Sequence, residues 1–282
     1  MVKTAWVTDS TAFLDDELKN HPDLYIIPLT ILLDGEEFAD GIDLTAAQLY
    51  ARLKELKSPP KSSQPAVGVF KELYENLSKD YDQVVAVLLS GKLSGTVSSS
   101  EQAAKLVDIP VTTFDSQILT APMTALLKKG IELVEAGNSI ESVIDQLEAL
   151  KTTNETYVLI GSLEQLHRSG RMSGLQFFLG SMLNVKPIIS IEDGALNTKE
   201  KVRSDKKAKE KILDYLKSSY EKHKFKEVYI LYGLHQEPAN EWKAEIKKLY
   251  PELSVICCPL GAVIGVHAGE NTLGISWHNG LK

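Results

Sequence analysis

The sequence has few cysteines and no long hydrophobic run. Its two cysteines, Cys257 and Cys258, are adjacent, and neighbouring side chains in a strand point to opposite faces. Two small buried apolar residues therefore explain the pair better than a disulfide does. The longest apolar stretch, residues 26–33, contains Pro28 and Thr30 and is far shorter than the roughly 20 residues that a membrane helix needs. Both a disulfide framework and a membrane span are disfavoured.

The sequence also lacks a cationic excess, a metal-ligand pattern and an export signal. Its 31 Lys and Arg residues are outnumbered by 38 Asp and Glu residues, and the resulting net charge of −7 argues against a nucleic-acid binder. No Cys or His cluster has zinc spacing, so we expect neither a metal nor another cofactor. The first residues contain no apolar signal-peptide core, and we expect a cytoplasmic location.

Strands and helices alternate through the first half of the chain. The run at residues 83–89 is continuously apolar and rich in β-branched residues, which is typical of a parallel strand buried on both faces. Residues 1–155 are therefore predicted to form an α/β domain with a doubly wound, mainly parallel sheet. A polar segment at residues 151–154 marks the predicted boundary. Residues 156–282 are predicted to form a smaller α+β domain. Its predicted strands are residues 157–160, 187–191, 228–232, 253–258 and 272–277, and its predicted helices are residues 175–183, 204–220 and 238–249.

Several shorter patterns refine this reading of the chain. Residues 9–11 follow the first strand and are predicted to cap a helix, because Asp, Ser and Thr are good N-caps. Residues 24–33 are predicted to form one extended segment. Residues 61–65 are predicted to form a polar loop whose hydroxyls cap the following helix, and this structural role accounts for Ser62 without any ligand.

The segment from Ser90 to Thr96 is a candidate anion site. It follows the strongest parallel strand, and ligands of open α/β sheets bind outside the carboxyl ends of such strands. The segment also leads into a helix, whose free N–H groups favour an anion. Gly95 lets the backbone approach a ligand closely. The spacing fits neither a P-loop nor a nucleophile elbow, and a turn that caps a helix also explains it.

Arginine is rare, and three of the four arginines lie in turns. Arg168, Arg171 and Arg203 occur beside Gly or Ser residues, whereas the fourth, Arg52, does not. A guanidinium suits bidentate binding of carboxylate or phosphate, although an internal salt bridge explains these positions equally well. His267 lies in an apolar, Gly-rich segment at residues 261–269. Such a histidine is either a buried structural residue or a ligand contact.

Taken together, these segments resemble the DegV family over about residues 3–280. The individual motifs are short, but they occur in the family's order. The matches are residues 7–11, Ser62-Ser63-Gln64-Pro65 against T-S-Q-P, Leu93-Ser94-Gly95-Thr96 against L-S-G-T, Asp115-Ser116, Gly170-Arg171-Met172-Ser173, residues 184–188 against N-[IV]-K-P-I, Lys201-Val202-Arg203, and His267 with Gly269. Two positions differ from the usual pattern: Ser62 replaces Thr, and Gly269-Glu270-Asn271 replaces G-P-G.

The resemblance implies a protein that holds one long-chain fatty acid, of the palmitate or oleate class, in a buried tunnel. Carried onto this chain, the groups that meet the carboxylate are Ser62, Ser94, Gly95 and His267. Some members are the acyl-carrying subunit of a bacterial fatty-acid kinase. Such a subunit takes part in fatty acid metabolism and phospholipid synthesis. In that role Arg171 and Arg203 are expected to contact phosphate or the ATP-dependent kinase partner. The resemblance also implies that this chain is not itself an enzyme.

Two other functions are compatible with the same residues. A hydrolase would use Ser94 as nucleophile and His267 as base, although the sequence assigns no acid to orient the histidine. A binder of a small phosphate ligand would use the helix start after Gly95 together with Arg171 and Arg203. Chain-length preference and oligomeric state depend on tertiary structure.

Overall fold

The computed structural model describes residues 2–53, 55–171 and 185–281, within which thirteen strands and ten helices are formed. The strands are β1 (Thr4–Asp9), β2 (Leu24–Ile27), β3 (Thr30–Leu33), β4 (Glu36–Ala39), β5 (Lys61–Ser63), β6 (Gln83–Leu88), β7 (Val111–Asp115), β8 (Asn154–Leu159), β9 (Lys186–Glu192), β10 (Ala195–Val202), β11 (Glu227–Tyr232), β12 (Ser254–Pro259) and β13 (Leu273–His278). The helices are α1 (Asp16–Lys19), α2 (Ala46–Leu53), α3 (Val67–Leu77), α4 (Thr96–Ala104), α5 (Thr120–Glu135), α6 (Ile140–Lys151), α7 (Leu163–Arg168), α8 (Asp205–His223), α9 (Gln236–Leu249) and α10 (Ala262–Ala268).

The first sheet has the order β2-β1-β6-β7, and all its pairings are parallel. Alternate residues of its central strands enter two separate cores. Trp6, Val85 and Val87 pack with α5 and α6, whereas Ala5 and Val7 pack on the other face with α3 and α4. Burial on both faces explains the continuous apolar run of β6. The predicted α/β class with a mainly parallel sheet is confirmed.

A six-stranded sheet with the order β10-β9-β8-β13-β11-β12 occupies the second half of the chain. Its pairings are antiparallel except for the parallel pair β11 and β12. Helices α8 and α9 cover one face, where Trp242 and Trp277 belong to the largest cluster. The opposite face carries Tyr229, Leu231 and Cys258 towards Ala121 at the start of α5. This inner face forms one wall of the candidate site.

A third, small sheet was not predicted. Its order is β4-β3-β5, and both its pairings are antiparallel. The prediction of one extended segment at residues 24–33 was wrong, because β2 ends before Pro28, which has no N–H for a ladder, and β3 joins a different sheet. Residues 61–63 were predicted as loop but pair with β3, so that Ser62 lies opposite Ile31.

The small sheet, α2 and α10 share one hydrophobic cluster. Ile31 and Leu49 pack there with Val263 and Val266 of α10. Gly265 allows α10 to pack closely against α2, since a Cβ there would come within 2.6 Å of the Tyr50 hydroxyl. The cluster joins residues from both sides of the predicted boundary at 155/156, and that division of the chain stays a prediction. The predicted helix at residues 175–183 lies outside the described residues.

Helix α10 is held at its N-terminus by Asp40. Gly261, the residue before the helix, has no side chain to cap it, and the N–H of Val263 instead donates to Asp40 Oδ1 at 3.1 Å. The hydroxyl of Ser10 donates to Asp40 Oδ2 at 2.8 Å and accepts from the N–H of Leu29 at 3.0 Å. Asp40 is 3% exposed, and its burial raises its pKa from 3.8 to about 6. One buried carboxyl therefore links three parts of the chain.

Asp40→Asn should change how stability depends on pH. Between the unfolded pKa of 3.8 and the folded pKa of about 6, the folded state binds more protons than the unfolded state. The contribution of Asp40 to stability is thus full below about pH 4 and is lost as the pH rises through 6. The free energy of unfolding of the Asn variant, relative to wild type, should rise by up to about 3 kcal/mol over this interval in urea titrations.

The control is Asp16→Asn, which removes one negative charge at an exposed position of α1. Wild type and Asp40→Asn differing by the same amount at every pH would contradict the assignment.

Candidate functional site

A cavity lies between the first sheet and the inner face of the six-stranded sheet. Its empty volume, counted to its open mouth, is about 920 Å³. Its described wall is mostly aliphatic and contains neither Asp nor Glu, and Arg171 is the one cation on it. The aliphatic residues include Leu29, Leu89, Leu93, Ile118, Leu119, Val158, Ile160, Ile191, Leu196, Leu231, Leu260, Val263 and Ile264.

Two residues far apart in the sequence meet on this wall. Ser62 lies in β5 and His267 in the last turn of α10, and Ser62 Oγ is 2.7 Å from His267 Nε2. The His267 Nδ1 atom is buried and has no hydrogen-bond partner within the described residues. When the imidazole proton is on Nε2, that N–H donates to Ser62 Oγ, and the Ser62 O–H is then free to donate to a ligand.

The imidazole of His267 is neutral near pH 7. Burial, together with the nearby positive charge of Arg171, lowers the pKa of His267 from 6.5 to about 4. Both causes act against the imidazolium form, because burial removes water from the charge and a second cation repels it. His267 therefore contributes a hydrogen bond to the site and no net charge.

Ser94 follows β6 and lines the cavity, whereas Gly95, the N-cap residue of α4, is not among the described residues that line it. Ser94 Oγ is 2.8 Å from Thr96 Oγ1 and accepts a hydrogen bond from the N–H of Thr96 at 3.3 Å. Ser94 thus lines the cavity and also binds the N–H of the first residue of α4. The Gly95 N–H has no hydrogen-bond partner among the described residues.

Gly95 lies beside the side chain of Gln64. Its φ is −76°, so it needs no left-handed conformation. A Cβ there would come within 2.9 Å of Nε2 at the end of the exposed Gln64 side chain, which would have to move aside. The segments of Ser62 and Ser94, separate in the sequence, are therefore neighbours.

The structure separates the two arginines that were predicted to share a role. Arg171 lies on the cavity wall, and its guanidinium donates to the carbonyl oxygens of Ser169 and, at 3.4 Å, of Leu93. Burial lowers the pKa of Arg171. Arg203 is exposed after β10 and is not among the described residues that line the cavity. The predicted contacts of both residues with phosphate or a partner stay predictions.

An open cleft adjoins the polar end of the cavity. It has an empty volume of about 1540 Å³ and shares Ser62, Arg171 and His267 with the cavity wall. Lys57, Lys61 and Arg168 also line it, and its described lining contains no acidic residue. In a chain with a net charge of −7, this makes the mouth region locally positive.

Sequence reasoning gave Asp9 the wrong role. Residues 9–11 do not begin a helix, since α1 starts at Asp16. The fully buried carboxyl of Asp9 instead accepts from the N–H groups of Thr11 at 2.9 Å and Leu89 at 2.7 Å. Burial raises its pKa. Asp9 thus fixes the start of the segment that carries Ser94. In the sequence, the only sign of this role was that the polar residues 9–11 directly follow an apolar strand.

The arrangement is better suited to binding than to hydrolysis. The hydroxyl that contacts His267 belongs to Ser62, whereas the hydrolase hypothesis had assigned Ser94. No described carboxylate orients the imidazole through Nδ1, the contact that a nucleophilic Ser-His pair needs. The described residues also contain no group of His, Cys, Asp and Glu that could hold a metal ion. None of the described helices is both long and apolar enough to cross a membrane. The cytoplasmic location stays a prediction.

Comparisons with known proteins agree over the whole chain. The family model described as "Uncharacterised protein, DegV family" matches residues 3–279. Protein DegV of Bacillus subtilis is 36% identical over 275 residues, which is 97% of this chain and 98% of that protein. The crystal structure of DegV, a fatty acid binding protein from Bacillus subtilis, superposes with a TM-score of 0.90 at 34% identity, covering 99% of both chains.

A more distant protein has the same fold. It is the Streptococcus pneumoniae fatty acid kinase (Fak) B3 protein, whose structure was solved loaded with linoleic acid. The TM-score is 0.84 at 19% identity, and 98% of this chain and 99% of that chain are covered. At this identity the likeness shows the fold alone.

Arg171→Gln should raise the pKa of His267. The substitution removes the positive charge that disfavours the imidazolium form, so the pKa should move from about 4 towards 6.5 while burial keeps it below that value. The measurement is an NMR titration of the histidine ring. Arg168→Gln is the matched control, because Arg168 lines the same cleft but is exposed and paired with Glu164 at 2.5 Å. Equal shifts in both variants would show that the contact with Arg171 is not specific.

Proposed function

The chain belongs to the DegV family, and from this premise we propose that it binds one long-chain fatty acid, of the palmitate or oleate class, in the cavity. The observation that carries the proposal is the division of the cavity wall. Most of the wall is aliphatic, whereas the polar groups on it include the hydrogen-bonded pair of Ser62 and His267, together with Ser94 and Arg171. A ligand with a long apolar tail and one acidic head group matches this division.

The aliphatic wall would supply most of the affinity. A sixteen-carbon tail has about 14 methylene groups, and burying each contributes ~0.8 kcal/mol. Full burial is thus worth on the order of 11 kcal/mol before the entropic cost of association. The DegV protein of Bacillus subtilis, described as a fatty acid binding protein, is a relative with the same fold, and this supports the assignment.

The polar groups would satisfy the carboxylate. A buried carboxylate costs several kcal/mol unless its oxygens accept hydrogen bonds. The Ser62 and Ser94 hydroxyls and the Gly95 N–H are donors of the required kind, and His267 orients the Ser62 hydroxyl. Arg171 adds a positive charge nearby, so the carboxylate can stay ionised and nucleophilic.

A protein of this kind could transport lipid or present it to an enzyme. We infer that the carboxylate lies at the end of the cavity that opens into the basic cleft, since Ser62, Arg171 and His267 line both spaces. A separate ATP-dependent kinase subunit could reach the carboxylate there and form an acyl-phosphate. Positive charge from Lys57 and Lys61 would stabilise the added phosphate. The phosphate-ligand alternative would use this cleft without the aliphatic cavity.

Lipids extracted from the purified protein should contain long-chain fatty acids, as measured by denaturing mass spectrometry.

Ser94→Ala should weaken binding of palmitate about 10- to 100-fold, because it removes one hydrogen bond to a charged group. Ser98→Ala, at an exposed position two residues into α4, is the control and should bind as wild type does. Repeated preparations without any bound fatty acid would refute the proposal.

Presentation to a kinase can be tested separately from binding. Arg203→Ala should leave palmitate affinity unchanged, because Arg203 is exposed and outside the described cavity wall. It should lower the rate of acyl-phosphate formation, measured with ATP and a purified fatty-acid kinase subunit, if Arg203 contacts that partner. A rate equal to that of wild type would remove Arg203 from the partner surface.

A further inference from the structure

The loop that carries Ser94 is shaped by a serine that does not itself reach the cavity. Ser90 comes shortly after β6, is fully buried and is not among the described residues that line the cavity. Its carbonyl oxygen accepts the N–H groups of Leu93 at 3.0 Å and Ser94 at 3.1 Å. Its hydroxyl oxygen accepts the N–H of Lys92 at 3.2 Å. Ser90 thus closes residues 90–94 into one turn, which we call the Ser94 loop.

The hydroxyl of Ser90 also reaches the second half of the chain. It donates a hydrogen bond to the carbonyl oxygen of Gly194 at 2.7 Å. Gly194 lies in the turn between β9 and β10, where Asp193 and Gly194 have φ values of 49° and 80°. Two consecutive positive φ values are typical of the type I′ turn of a tight hairpin. Connecting turns usually lie at the surface, whereas Gly194 is buried against Ser90.

The contact depends on glycine at position 194. A Cβ there would come within 2.6 Å of Ser90 Oγ and would displace the hydroxyl. The positive φ of Gly194 independently favours glycine. Ile191 and Leu196, one on each strand of this hairpin, line the cavity. One hydroxyl therefore joins part of the aliphatic wall to the loop that carries Ser94.

We propose that Ser90 is a positioning residue for the fatty-acid carboxylate, which it serves by fixing the Ser94 loop against the β9–β10 hairpin. Ser90 does not touch the ligand and acts through the Ser94 hydroxyl. This inference rests on the proposed fatty-acid function and names the residue that couples the aliphatic wall to the carboxylate contacts. Without the Ser90 hydroxyl, the Gly194 carbonyl and the Lys92 N–H lose this partner, and the loop is no longer held in one position.

A residue of this kind should affect the head group more than the tail. Palmitate and 1-hexadecanol have chains of equal length, and only palmitate carries a carboxylate. A displaced Ser94 loop should therefore lower the ratio of palmitate affinity to hexadecanol affinity. The loss of one neutral hydrogen bond corresponds to about 3- to 10-fold. A general loss of cavity shape or stability would weaken both ligands equally and leave the ratio unchanged.

The test is competition against a fluorescent fatty acid on the full chain after lipid removal. Ser90→Ala should lower the ratio about 3- to 10-fold. Ser100→Ala is the matched control, because Ser100 is also a fully buried serine outside the described cavity wall. Its hydroxyl contacts the hydroxyls of Tyr74 at 2.7 Å and Thr113 at 2.6 Å. Its loss should leave the ratio as in wild type.

A double variant tests whether Ser90 acts through Ser94. In the Ser94→Ala background there is no hydroxyl left to position, so adding Ser90→Ala should change palmitate affinity by less than about 2-fold. Two residues that contributed independently would instead give the product of their separate effects.

The outcomes separate this inference from the function on which it rests. An unchanged ratio in Ser90→Ala, or independent effects in the double variant, would overturn the role of Ser90 and leave the proposed function intact. Failure of wild type to bind palmitate would overturn both. If Ser90→Ala does not fold, Ser90→Cys decides the question. A thiol is a weak hydrogen-bond donor, so Ser90→Cys should also lower the ratio, and an unchanged ratio would overturn the inference.

Discussion

The hydrogen bond between Ser62 and His267 is the contact on which the site depends, because it joins segments 205 residues apart. Each partner is held by a different part of the fold. Ser62 is placed by the pairing of β5 with β3, and His267 by α10, whose N-terminus is bound to Asp40. The small sheet, α2 and α10 pack as one cluster around this contact. The polar end of the cavity is formed where β5 and α10 meet.

Burial governs the electrostatics of the region. It keeps His267 neutral and raises the pKa values of Asp9 and Asp40, the two carboxyls that position the surrounding backbone. Arg171 is left as the one cation on the described cavity wall. Neutral donors with a single nearby cation can hold a carboxylate in its ionised form. Such a site suits a molecule that binds an acid and hands it on unchanged.

The elements that were predicted well have strong local signals. β6 is an apolar run rich in β-branched residues, and α8 and α9 have clear helical periodicity and polar outer faces. The elements that were missed are short or polar. β5 is a Lys-Ser-Ser triplet that becomes a strand through pairing with β3, and β10 is a largely polar edge strand. Pro28 divides a run that looked continuous. Local propensity is weak in these places, and long-range pairing decides the conformation.

Periodicity and ordered short motifs were enough to predict the α/β class and the family resemblance, and the resemblance in turn pointed to Ser62, Ser94, Gly95 and His267. Which of these residues touch depends on tertiary packing. It paired Ser62 rather than Ser94 with His267, placed Gly95 against Gln64, and moved Arg171 onto the cavity wall. Contacts between distant segments and the loss of water on burial arise from packing, which no local pattern encodes.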